Sequence, residues 1–492
     1  MAPSSSSTLP HFSLFSLILL ISFSSPRTLV LALSKPKPPN SLFLPISKVD
    51  GTSLQTTTQY ITHIKQRTPL VPVNLTVDLG GRSLWVVIDD DYISSTRTIH
   101  NCNSTQCKLA SRTRVCPFGD PCFLPIHHPT LDSSQVGSLC DDVISLQSTN
   151  ANSYTTIPHY LFGCATNYMI VGLADGITGA AGLGRSKIAL PLQLASAFKF
   201  DKKFVVCLPS STNAKGFVVF GNLVPNTAVS AVPLTYTPLL SNPVSTVPAP
   251  RGEPSYEYFI GVKSITVNGK VVPFNTSLLS IDRKSGNGGT KISTGHPYTA
   301  LKTEIYNAFI EAFVREAEAM KLKRVAAVEP FGACFRLGPA VPTIDFVLES
   351  KNVWRMFGAN SMVKVGNNDV MCLGFVEGDY DEMTSVVIGG RQLENIVLQF
   401  DLASSKMGFS STLLANQTIL CPDGGLWSKR VTAEFIFALL ELIRKAIDAP
   451  KKSDQEREKT AKMGEHVERK AQTSSYRKEK ELRKGIGASK KW

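Results

Sequence analysis

Between about positions 44 and 411, apolar and polar residues alternate in short runs. Tyr60-Ile61-Thr62-His63-Ile64 alternates, and so does Val71-Pro72-Val73-Asn74-Leu75-Thr76-Val77-Asp78-Leu79, which Gly80-Gly81 closes. A period of two places one set of side chains on each face of a strand. Phe204-Val205-Val206-Cys207-Leu208 and Gly216-Phe217-Val218-Val219-Phe220-Gly221 are short apolar runs bounded by turn residues. Runs of this kind, separated by Gly, Pro, Asn and Ser, predict an all-β architecture. Helical periodicity is sparse. Its best case is residues 304–320, where Ile305, Phe309, Ala312 and Phe313 share one face. Residues 191–198 form a second short case, with Pro191 suited to the first helical position.

A Pro/Ser-rich stretch at 239–254 divides this pattern into halves, read as an N-terminal lobe at 44–240 and a C-terminal lobe at 255–421. The halves echo each other. Ala180-Ala181-Gly182-Leu183-Gly184 in the first matches Val386-Val387-Ile388-Gly389-Gly390 in the second, an internal duplication. Beyond Cys421 the character changes. Thr432 caps a predicted helix at 433–448 with Phe435, Leu439, Leu442, Ile443 and Ala446 as its stripe, and Pro450 stops it. Residues 451–492 are then almost all charged and polar with Lys and Arg in excess, the composition of a solvated tail with few of the aromatics that nucleic-acid binding would use. At the other end, Phe12-Ser13-Leu14-Phe15-Ser16-Leu17-Ile18-Leu19-Leu20-Ile21 is too short for a membrane span. With Val30-Leu31-Ala32 behind it, residues 1–33 read as a secretory signal peptide.

Charge and cysteines change the picture next. The chain has 492 residues and a formal net charge of +13, a balance that suits an acidic partner. It has ten cysteines: Cys102, Cys107, Cys116, Cys122 and Cys140 crowd one region, and Cys164, Cys207, Cys334, Cys372 and Cys421 are spread beyond. In a secreted chain these read as disulfides. Cys102-x4-Cys107 lacks the second Cys or His pair that a zinc site needs, and His127-His128 is read as a surface-loop pair, so no metal or cofactor is implied. Sequons at Asn74, Asn103, Asn275 and Asn416 agree with secretion and glycosylation.

Two stretches carry the candidate chemistry: Leu84-Trp85-Val86-Val87-Ile88-Asp89-Asp90-Asp91 and Thr290-Lys291-Ile292-Ser293-Thr294-Gly295. They resemble the two catalytic loops of a pepsin-like aspartic protease, apolar-apolar-Asp-Thr/Ser-Gly, with Val87 and Ser293 at the dyad positions. Two close carboxylates that share a proton are the basis of that mechanism. Without them there is neither base for the water nor acid for the amide. Further stretches extend the resemblance: residues 74–86, Ala181-Gly182-Leu183-Gly184-Arg185, residues 257–265, Leu278-Leu279-Ser280-Ile281 and Val387-Ile388-Gly389-Gly390. Together they resemble the plant pepsin-like, non-proteolytic glycoproteins: basic 7S globulin, extracellular dermal glycoprotein, and the xylanase and xyloglucan-endoglucanase inhibitors. The resemblance implies a bilobal pepsin-like fold, secretion to the apoplast or cell wall, and inhibition of microbial cell-wall-degrading enzymes or binding of small peptides. It also implies disulfides Cys334–Cys372 and Cys207–Cys421.

The chain departs from that family at named places. The family keeps an Asp and then a Cys where this chain has Val87 and Ile88, and a shift of two residues puts Asp89, Asp90 and Asp91 off the dyad axis. Cys140 looks extra. The segment from Cys334 to Pro339 is shorter, and the tail after Cys421 has no counterpart. Two functions are weighed. As an inhibitor of a secreted glycoside hydrolase such as a xylanase or endoglucanase, the chain would deliver a basic side chain to the enzyme's paired carboxylates. Arg suits this through its fixed fork of donors, and Arg324, Arg336 and Arg391 are the candidates. As a storage or peptide-binding protein of the basic 7S type, it would line its cleft with Ser293, Thr294 and Tyr298.

Overall fold

The computed structural model describes residues 39–410, apart from 52–57, 111–115, 117–119, 132, 150–152, 223–228, 231, 248–252, 339, 367–368 and 380–381. The signal segment at 1–33, the helix and tail at 422–492, Asn416 and Cys421 lie outside the described residues. Described residues up to 222 and from 232 onward belong to one compact unit.

The architecture is two lobes of β-sheet with a few short helices. In the N-terminal lobe Ser41–Val49 runs antiparallel to Lys215–Gly221, and Gln59–Gln66 antiparallel to Val71–Asp78 with Ile61 opposite Thr76. The alternation read from the sequence is the alternation of burial: Val73, Leu75 and Val77 are buried, while Pro72 and Asn74 are exposed. The apolar runs cross between lobes. Lys203–Cys207 pairs with Lys215–Gly221 on one edge and with Val397–Asp401 on the other, so it is covered on both sides and reads as continuous apolar sequence. Phe204 stacks on Phe400 with ring centroids 4.8 Å apart, and Tyr258 lies 4.4 Å from Phe400. Offset and tilted ring pairs of this kind add about 0.5–1.5 kcal/mol each beyond the area they bury.

Helix Leu190–Phe198 carries Pro191 in its first turn and ends at Lys199 in the left-handed conformation (φ 61°). Helix Thr303–Ala319 buries Ile305, Phe309, Ala312 and Phe313 as one stripe, with Glu304 in the first turn where the helix dipole favours an acid. Phe309 packs against Phe375 at 4.8 Å. Beyond this helix, Arg324–Val325, Cys334–Arg336, Val370–Leu373 and Met362–Val365 form a small four-stranded sheet. Cys334 and Cys372 sit directly opposite across it and are joined by a disulfide. The other described bridges are Cys102–Cys116, Cys107–Cys122 and Cys140–Cys164. Cys207 is also disulfide-bonded.

Candidate functional site: a single-carboxylate cleft floor

Each lobe builds its central loop from the same pieces. In the N-terminal lobe, Val71–Asp78 runs parallel to Gly179–Gly182, which in turn runs antiparallel to Trp85–Val87; Trp85–Val87 also runs parallel to Tyr154–Ala165. In the C-terminal lobe, Thr290–Ile292 runs parallel to Val386–Ile388, which runs antiparallel to Thr299–Leu301; Thr299–Leu301 runs parallel to Phe375–Glu377. Matching the two sets pairs Val77-Asp78-Leu79-Gly80 with Ile292-Ser293-Thr294-Gly295. Trp85–Val87 then matches Thr299–Leu301.

This corrects the assignment of Val87 to a dyad position. Val87 is 4% exposed and packs in an apolar cluster with Trp85, Ile126 and Met169, one strand later than the loop that matters. The first loop is Val77-Asp78-Leu79-Gly80, which itself reads apolar-Asp-x-Gly. A hydrogen-bond pair decides the match. The Thr294 hydroxyl donates to the Val77 carbonyl at 2.7 Å and accepts from the Leu79 amide at 2.9 Å, gripping the residues on either side of Asp78. The grip is one-sided, because Leu79 has no hydroxyl to return it. Thr294 is 3% exposed, so its role is to hold the loops together rather than to line the cleft. Asp89, Asp90 and Asp91 are exposed.

Asp78 is therefore the carboxylate of this floor, and Ser293 stands opposite in the match. Loss of surrounding water pushes the Asp78 carboxyl up to about 7; the Glu257 charge adds to the rise, and the Gly80 and Gly81 amides and Lys291 oppose it. The Gly80 amide donates to Asp78 Oδ1 at 3.1 Å. Ser293 Oγ accepts from the Gly295 amide at 3.1 Å and lies 3.2 Å from His296 Nδ1. Lys291 pairs with Glu257 at 3.0 Å, both side chains nearly buried. Burial alone would raise the Glu257 carboxyl, but Lys291 and the hydroxyls of Thr246 and Ser255 outweigh it and hold it below the usual range. His296 is pushed down to about 4 by burial and then by Lys291, against the pull of Glu257; its Nε2 lies 3.7 Å from Glu382.

The floor is covered. The hairpin of Phe123–His127 and Ser134–Ser148 pairs in register from Phe123–Ser138 to His127–Ser134, and its tip descends onto the second loop. A Cβ built on Gly295 would lie 1.7 Å from the Pro129 carbonyl oxygen, so only glycine allows this approach. His127-His128 is not a surface pair. His128 is 6% exposed, and its Nδ1 accepts from the amides of Thr130 and Leu131 at 3.2 and 3.0 Å, which turns the tip. Burial pushes both imidazoles down to about 4, helped at His127 by Arg82.

A buried ion pair ties the N-terminal lobe to the stretch that connects the lobes. Arg82 Nη1 donates to Glu253 at 2.6 Å and Nη2 donates to the Ala110 carbonyl at 2.8 Å, with side chains 3% and 0% exposed. Tyr256 OH also donates to Glu253.

The arginine candidates separate. Arg391 is turned inward: it donates to Glu394 at 2.6 Å and to the Met362 carbonyl at 2.8 Å. Glu394 also takes Lys48 at 2.9 Å and Tyr60 OH at 3.0 Å. With two of its nitrogens held by a buried carboxylate and a backbone carbonyl and its side chain 22% exposed, Arg391 is less available to another protein than an exposed arginine. Arg324 and Arg336 are exposed. Arg324 stands opposite Phe335, the neighbour of Arg336, so the pleat sends the two arginines to opposite faces of one short sheet. Lys321, Lys323 and Lys364 are exposed around them, as are Glu318, Glu329 and Asp369. Tyr298 packs edge-on against Phe331 at 4.8 Å. Asn74, Asn103 and Asn275 are exposed.

Residues 60–222 match the family model for the N-terminal part of xylanase inhibitors, and residues 257–411 match the C-terminal one. A Nicotiana benthamiana protein named "probable aspartic proteinase GIP2" is 49% identical over 407 residues, covering 77% of this chain and 91% of that one. This chain belongs to the xylanase-inhibitor family of pepsin-like proteins. Among solved structures, the crystal structure of edgp is similar with a TM-score of 0.73 and 47% identity, over 79% of this chain and 98% of that chain. Basic 7S globulin from soybean gives 0.66 and 31%, over 80% and 100%. The pepsin-like, two-lobed fold is shared with both. Asp78, Glu257, Lys291 and the buried hairpin histidines were missed in the sequence. For Asp78 the signal was present, since apolar-Asp-x-Gly-Gly ends the alternating strand Val71–Asp78.

Proposed function

We propose that this chain is a catalytically inactive pepsin-like protein, secreted to the apoplast, that inhibits microbial cell-wall-degrading glycoside hydrolases. The observation that carries the first half is the floor itself. One carboxylate, Asp78, stands where two are needed, and Ser293 cannot ionise to share a proton with it. The flap tip covers that floor. The second half rests on family membership and on the exposed basic edge of the C-terminal lobe. Arg324 or Arg336, carried on a sheet clamped by Cys334–Cys372, can reach a pair of carboxylates in a partner's cleft. The positive charge of the whole chain would speed such an encounter.

A second reading, storage or peptide binding of the basic 7S type, draws on the similarity to that globulin. The Pro129–Gly295 contact favours the first reading over a standing peptide site between the lobes. The test is inhibition of purified fungal xylanase, endoglucanase and xyloglucanase by the mature protein. Arg336→Ala and Arg324→Ala are measured alongside, and casein cleavage is followed from acid to neutral pH. Inhibition lost in one arginine variant, with no cleavage of casein, supports the reading. Casein cleavage blocked by a transition-state peptide inhibitor of aspartic proteases would overturn it.

A further inference from the structure

We propose that the hairpin of Phe123–His127 and Ser134–Ser148 is an acid-operated gate, closed over the cleft floor by neutral His127, His128 and His296 and released when they are protonated. The closing contacts are specific. His128 Nδ1 is the acceptor for two tip amides, Thr130 and Leu131. An imidazolium has no acceptor, so protonation removes both bonds at once. The tip meets the second loop where the Pro129 carbonyl faces Gly295, one residue before His296. His127, at the base of the tip, leaves Nδ1 buried without a hydrogen-bond partner.

The groups facing these histidines set the sign. Arg82, Glu257 and Glu253 act on His127, Lys291 and Glu257 act on His296, and Glu382 lies 3.7 Å from His296 Nε2, beside the floor that carries Asp78 and Ser293. Arg82 is already paired with Glu253, and Lys291 with Glu257. Near neutrality the three glutamates offset the two cations. In acid Asp78 is neutral, and charging three imidazoles among Arg82 and Lys291 leaves the interface net positive. Burial opposes charging of each imidazole while the gate is shut, so protonation is favoured by opening and opening by protonation. This stands independently of the reading of the C-terminal edge.

Hydrogen exchange by mass spectrometry on the whole mature protein, corrected for intrinsic rate, reads the gate directly. From about pH 7 to about pH 3.5 the peptide spanning the tip should lose at least about tenfold in protection, while strand Lys203–Cys207 stays protected. His128→Asn places a non-titrating carbonyl oxygen near Nδ1, and should keep the tip protected at the lower pH. Gly295→Ala should expose the tip at neutral pH, because its Cβ displaces Pro129. Equal protection at both pH values overturns the proposal. So does acid loss that spreads through the body at the same pH, acid loss undiminished in His128→Asn, or a protected tip in Gly295→Ala.

Discussion

Replacing Thr294 by Val tests the assignment of Asp78 to the floor. The two side chains have nearly the same shape, so the change removes the hydroxyl and little else. That hydroxyl donates to Val77 O at 2.7 Å and accepts from Leu79 N at 2.9 Å, and Thr294 is 3% exposed. Water cannot reach the amide in its place. A buried group left without a partner costs about 1–3 kcal/mol, and two are created. Against this stands a small gain from burying a methyl in place of a hydroxyl. The net expectation is a loss of about 2–4 kcal/mol. Unfolding entropy scales at about 2 cal/mol/K per residue, so for a body of roughly 370 residues the loss lowers Tm by about 3–5 °C. Thr294→Ser keeps the hydroxyl and should lose only about 1 kcal/mol for the missing methyl. Scanning calorimetry of the three proteins decides it. If Val and Ser cost the same, or Val costs nothing, the hydroxyl is not gripping the loop around Asp78 and the match of the two lobes fails.

Glu253→Gln strands the Arg82 guanidinium, 3% exposed, and should destabilise the body by about 3–5 kcal/mol in urea unfolding; a double change of Arg82 to Met and Glu253 to Leu should recover most of that. Arg391→Ala should lower stability through the Lys48–Glu394–Tyr60 cluster and leave hydrolase inhibition unchanged; weakened inhibition with an unchanged Tm would return Arg391 to the surface role. Stability should rise with pH between about 4 and 6.5. His127, His128 and His296 sit near 4 in the fold, against about 6.5 unfolded. The unfolded chain thus binds about three more protons there, and the folded chain about one more through Asp78. The net of about two protons from these four groups gives a slope of about 2.7 kcal/mol per pH unit, reduced by the partial exposure of His296. His63, also held low by burial, acts in the same direction. A Tm that is flat or falls over that window would contradict these placements.

The strands were legible because period-two alternation records which face of a sheet is buried, as in Val73, Leu75 and Val77. Helix Thr303–Ala319 was legible for the same reason at its own period. The floor was not, because a local pattern does not report which strands pair in parallel. Trp85-Val86-Val87-Ile88 followed by three acids imitates an active-site loop and outweighed the Asp-x-Gly-Gly signal at Asp78; the pairing of Val71–Asp78 with Gly179–Gly182 and the Thr294 grip put the dyad position nine residues before Val87. Arg324 and Arg391 look alike in sequence. What distinguishes them is Glu394 brought to Arg391 beside Lys48 and Tyr60 from the other lobe, although the acid three residues on was a local cue. The partners of Cys140 and Cys102 also depend on strand register, which cysteine spacing does not encode.

The most direct measurement is a titration of purified fungal xylanase, endoglucanase and xyloglucanase with the mature protein and its Arg324→Ala and Arg336→Ala variants. The expected result is saturable inhibition of at least one hydrolase, weakened about thirtyfold or more by one of the two substitutions. No inhibition of any of the three by the parent protein would contradict the proposed function.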